Sequence, residues 1–103
     1  MSDYHNKSTD NLFTVISGIR TVEDCYAFFE DLCTIKEIQD MAQRLETAIL
    51  LSKGENYQNI SQKVGVSSAT ISRVNRCLNY GSGGYRAAIN EISTKDDANA
   101  NKR

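Results

Sequence analysis

The chain has 103 residues, 40% of them hydrophobic and 24% charged, with a formal net charge of −1; that is room for one globular domain and not for two. Its start, MSDYHNKSTDN, has no apolar leader core, and no run approaches the roughly 20 apolar residues of a membrane span, so a cytoplasmic protein is expected. With no Pro, no Trp and few β-branched runs, an all-α fold is favoured over a sheet.

In chain order, residues 1–9 read as a disordered tail and 10–93 as a single helical domain. Leu12, Phe13, Val15, Ile16 and Ile19 predict a first short helix that frays at Gly18. Thr21 with Asp24 reads as a capping box opening a second helix, which carries Cys25, Tyr26, Phe28, Phe29 and Leu32. Thr34 and Glu37 repeat that signal, with Glu at the favoured third position. Beyond them Ile35, Ile38, Ala42, Leu45 and Ile49 recur at spacings of three and four, the stripe of an amphipathic helix that stops at Gly54. A short helix runs from Tyr57, behind Asn56, to Val64. Gly65-Val66-Ser67 is a turn, and Ser67 or Ser68 caps a further helix reaching about Asn79. Gly81-Ser82-Gly83-Gly84 interrupts the chain, Tyr85–Ile92 predict a last helix within 85–93, and 94–103 read as a second disordered tail.

Leu12, Phe13, Ile16, Ile19, Phe28, Phe29 and Leu32 are heavy apolar content for a small monomer, because small domains bury proportionately less of their surface. Helices exchanged between two chains would enlarge the shared core, so residues 10–54 are read as dimerisation and core helices of a homodimer.

Catalytic and metal chemistry find little to work with. Cys25, Cys33 and Cys77 form no C-x-x-C pair, and His5 is the single histidine; free thiols are expected and a zinc site is not. Acidic residues are scattered and no phosphate-binding loop or nucleophile–base pair is recognisable, which argues against an enzyme. Charge is unevenly spread: four basic against nine acidic residues precede Lys53, whereas Lys53, Lys63, Arg73, Arg76 and Arg86 face Glu55 alone up to Asn90. Such a distribution suits a chain that turns one face to a polyanion.

Residues 56–79 meet the geometric demands of a helix-turn-helix. Ile60, Val64, Val66, Ile71, Val74 and Leu78 supply inward contacts, Ser61 is small enough for close packing, and Gly65 tolerates the tight turn. The outer face is then Ser68, Ala69, Ser72, Arg73, Arg76 and Asn79. With the second helix entering a major groove, Ser67, Ser68, Ala69 and Ser72 approach base edges, Thr70 is a further candidate DNA contact, and Arg73 and Arg76 reach phosphate or guanine. Gln58 and Lys63 on the first helix are candidate backbone contacts. A second reading keeps the same helix pair as a docking surface for another protein.

The segment Gly65-Val66-Ser67-Ser68-Ala69-Thr70-Ile71-Ser72-Arg73 resembles the reading head of the Trp repressor, and Leu51-Ser52-Lys53-Gly54-Glu55 resembles the segment leading into it. The run Ala69-Thr70-Ile71-Ser72-Arg73-Val74-Asn75-Arg76-Cys77-Leu78-Asn79-Tyr80-Gly81 is similar to a signature of the Trp repressor-like YerC/YecD family. Ile38-Gln39-Asp40-Met41-Ala42-Gln43-Arg44-Leu45 adds to the likeness, which spans about Leu32–Arg86. The resemblance implies an intertwined all-α homodimer acting on double-stranded DNA as a sequence-specific transcriptional regulator, of the repressor type. In the Trp repressor a bound tryptophan sets the angle of the reading heads, and one arginine flanking it matches Arg73. At the place of the second arginine stands Glu46, with Arg44 two residues away, and the segment between Gly54 and Gly65 is one residue shorter. Arg44 and Arg73 are therefore candidate effector-pocket residues for a small-molecule co-repressor, and tryptophan is not the expected one.

Overall fold

A helix starts where side chains can take up the backbone N–H groups that its first turn leaves without partners. The computed structural model describes residues 4–101, with side-chain surroundings for 4–95. The described residues form α1 Lys7–Ser17, α2 Val22–Leu32, α3 Ile35–Ser52, α4 Tyr57–Val64, α5 Ser68–Tyr80 and α6 Gly84–Asn101, and no strand. The parts of the two expected tails at 1–3 and 102–103 lie outside the described residues.

The chain divides into two units, Met1–Ile38 and Gln39–Arg103. In the first, α1 begins at Lys7, inside the stretch expected to be a tail. Asn6 Oδ1 accepts from the Thr9 N–H at 3.0 Å and the Asn6 N–H donates to Thr9 Oγ1 at 2.9 Å. This reciprocal cap uses Asn and Thr, whereas the usual sequence signal ends in Glu or Gln. At Thr21 the forward bond forms, from the Asp24 N–H to Oγ1 at 3.0 Å, but the expected return from Asp24 does not. Its carboxylate is one methylene shorter than that of Glu. The box at Thr34 is complete: the Glu37 N–H donates to Thr34 Oγ1 at 3.0 Å and the Thr34 N–H to Glu37 Oε1 at 2.8 Å. No residue of α1 or α2 is buried.

The core lies in the second unit, where Ala48, Ile60, Ile71, Val74 and Leu78 are buried. Thr47 is buried with them, and its hydroxyl donates to the Gln43 carbonyl at 2.8 Å, so no donor is stranded. The α3 helix closes by two bonds, Gly54 N–H to Leu51 carbonyl at 3.0 Å and Glu55 N–H to Leu50 carbonyl at 3.1 Å, the pairing of a Schellman motif. Next, α4 packs on α5, and α5 on α6. The last helix continues to Asn101 instead of ending at Ile92. Residues 93–101 contain neither Gly nor Pro, and Lys95 pairs with Glu91 one turn back at 3.2 Å. Among the described residues no helix is long and apolar enough to cross a membrane.

Candidate nucleic-acid interface

Asn56 opens α4, its Oδ1 accepting from the Asn59 N–H at 2.8 Å. Gly65 ends it with φ at 85°, and its N–H donates to the Ser61 carbonyl at 2.9 Å. A side chain in that left-handed conformation would meet its own backbone, so glycine belongs there. Ser67 then caps α5. Its Oγ accepts from the Thr70 N–H at 3.1 Å and donates to Thr70 Oγ1 at 3.1 Å. Across the turn, Ser61 Oγ donates to the Val66 carbonyl at 2.9 Å. Smallness was the property expected of Ser61; the bond that pins the turn is a further one.

Burial sorts the two faces. Ile60, Ile71, Val74 and Leu78 are buried and Val64 and Val66 half-buried, all where the helix-turn-helix pattern predicts. Ser67, Ser68, Ala69, Ser72, Arg73 and Arg76 are exposed on α5 and its cap, as are Gln58 and Lys63 on α4. Thr70 differs from the other candidates: it is half-buried and turns toward α3. No acidic residue occurs between Asn56 and Asn90, so the exposed face of α5 carries its positive charge without internal cancellation.

Lys63 is the exception among the basic candidates. Its Nζ lies 3.0 Å from Glu55 Oε2, and Asn59 Nδ2 donates to Glu55 Oε1 at 3.3 Å. The hydrogen bond from Lys63, that from Asn59 and the Lys63 charge together hold the Glu55 carboxyl below its ordinary range. Both charges are visible in the sequence, but their pairing across eight residues is not.

An open cleft of about 540 Å³ separates α3 from α5 and is lined by Arg44, Arg73, Asp40, Thr70 and Tyr85 among others. It brings the two arginines to one place. Asp40 and Tyr85 were not anticipated; Asp40 stands one turn before Arg44 on α3, whereas Tyr85 arrives only through the break at 81–84. Cys25 and Cys77 are exposed, Cys33 half-buried, and all three are free thiols. No cluster of three candidate metal ligands occurs among the described residues.

The sequence matches the family described as Trp repressor protein over residues 7–93. It is 47% identical over 96 residues to YerC of Bacillus subtilis, an uncharacterised protein, covering 93% of this chain and 92% of that one. One similar solved structure is a Staphylococcus aureus protein described as a candidate Trp repressor, with a TM-score of 0.85 and 39% identity over 89% of this chain and 92% of that one. Another is a TrpR-like protein of Eubacterium eligens, with a TM-score of 0.86 and 40% identity over 90% of this chain and 96% of that one.

Proposed function

As the chain belongs to the Trp repressor family, alongside YerC, we propose that it is a sequence-specific DNA-binding transcriptional regulator, of the repressor type, that sets α5 into the major groove. The observation that carries this reading is the outer face of α5. Ile71, Val74 and Leu78 fasten one side of the helix into the core, while Ser68, Ala69, Ser72, Arg73 and Arg76 face solvent on the other. Small side chains let the helix approach base edges, hydroxyls pair with either base type, and the Ala69 methyl suits a thymine methyl. Arg73 and Arg76 supply phosphate or guanine contacts, and Gln58 contacts the backbone from α4.

The protein acts as a homodimer, with two reading heads spaced for half-sites roughly 34 Å apart. Exposed Phe13, Val22, Tyr26 and Leu32 in the first unit support that assembly. The cleft between Arg44 and Arg73 receives a small effector carrying an anionic group, and its occupancy alters the setting of α5. Docking of another protein on the same helix pair is the second reading; it leaves the absence of acidic residues on this face without a role.

Selection of bound duplexes from random-sequence DNA, run with and without amino acids and nucleotides, tests the proposal. The expected product is a two-fold symmetric consensus whose retention falls steeply between about 50 and 200 mM salt. Failure to enrich any sequence, or salt-insensitive binding, would overturn it. Replacing Arg73 and Arg76 by Ala is expected to abolish DNA retention with the oligomeric state unchanged; retention that persists would remove the two arginines from the DNA contact, and a wild type that retains no duplex leaves docking of another protein as the reading.

A further inference from the structure

Resting on the reading of α5 as the DNA-binding helix, we propose that Arg86 of α6 is a phosphate-gripping residue on the same face, held in position by Asn79 and Asn75. Arg86 Nη2 donates to Asn79 Oδ1 at 3.1 Å. Asn79 is itself oriented, because its Nδ2 donates to the Asn75 carbonyl at 2.9 Å and to Asn75 Oδ1 at 3.0 Å. A cation from a neighbouring helix is thus tethered to the reading helix by two neutral amides.

Placement follows from helix geometry. Asn79 lies seven residues beyond Ser72 and three beyond Arg76, which at about 3.6 residues per turn puts all three on one side of α5. The same rise sets Asn79 roughly 10 Å further along the axis than Ser72. A major groove is about 12 Å wide. When Ser68 and Ser72 are at base edges, a group tethered to Asn79 therefore stands at the groove wall, where the phosphates are.

The chemistry of the partners separates Arg86 from Lys63. Lys63 faces the Glu55 carboxylate at 3.0 Å, which offsets its charge. Arg86 is exposed and, among the described residues, makes its side-chain bond to a neutral amide and no ion pair. Its positive charge stays available, and the guanidinium N–H groups not used by Asn79 form a planar fork suited to two phosphate oxygens.

The test measures how affinity depends on salt for the wild type, Arg86→Gln, Arg86→Lys and Asn79→Ala. The probes are the duplexes recovered in the selection and a scrambled duplex of equal length. Arg86→Gln keeps an N–H donor for Asn79 but removes the charge. It is expected to weaken binding about 3- to 10-fold on all duplexes alike and to flatten the slope of log K against log salt by about 0.9. Arg86→Lys keeps the wild-type slope, and Asn79→Ala keeps the slope while weakening binding. An unchanged slope in Arg86→Gln, with the wild type still binding DNA, overturns this inference and leaves the reading of α5 intact. A wild type that retains no duplex overturns both.

Discussion

Lys63 and Glu55 show how one side chain can offset the charge of another on the face proposed to meet DNA. Lys63 lies on α4 and Glu55 two residues before that helix, and while they are paired the ammonium offers little net charge to a phosphate. Glu55→Gln frees it. The expected outcome is tighter DNA binding with a salt slope steeper by about 0.9; an unchanged slope would place Lys63 away from the DNA. The pair also has a pH signature. The Glu55 carboxyl sits below its ordinary value of 4.5 in the folded protein, so its contribution to stability is present above that value and is lost as pH falls through the lower folded one. Between pH 7 and about 5 the urea midpoint is indifferent to this pair. Further acidification lowers the wild-type midpoint more than that of Glu55→Gln, which titrations of unfolding against pH would show.

At the scale of elements, the joints around α5 decide how firmly the helix proposed to read DNA is presented. Gly65→Ala would force an L side chain to the positive φ of 85°, at a cost of roughly 1–2 kcal/mol. Gly81→Ala acts differently: its Cβ would run into the Cys77 carbonyl oxygen, so the junction of α5 and α6 must shift, at about 1–3 kcal/mol. Urea unfolding of each variant checks the costs, and Gly81→Ala should also disturb the Arg86–Asn79 contact. These elements differ in how legible they are. The caps at Thr34, Asn56 and Ser67, the stop at Gly54 and the inward stripe of Ile71, Val74 and Leu78 depend on residues a turn apart, so consecutive sequence displays them. Glu55–Lys63 and Asn79–Arg86 join residues eight and seven apart, and the latter crosses the break at 81–84. Charge counting sees those residues but not their meeting. The far end of α6 escaped for another reason: beyond Ile92 it lacks an apolar stripe, and only the lack of helix breakers signals it.

At the scale of the molecule, the two units differ in what they bury. The second has a core of its own, whereas Phe13, Val22, Tyr26 and Leu32 in the first are 57%, 68%, 61% and 50% exposed. Full burial of such a side chain is worth about 1.5–3 kcal/mol, and a second copy of the chain is the partner proposed to supply it. In a monomer, Phe13→Asp and Leu32→Asp alter half-exposed positions and should change little. In a homodimer assembled through this surface each introduces a charge into the contact, and the solution mass should fall from that of two chains to that of one. Light scattering across a dilution series reads this directly, alongside an unfolding midpoint that rises with wild-type concentration. DNA retention adds an independent measure. A single head keeps its α5 face but about half the phosphate contacts, so the split variants should bind with about half the wild-type salt slope. Wild-type slopes in the Asp variants, or a wild-type mass of one chain, would overturn the assembly while leaving the single reading head to be judged on its own.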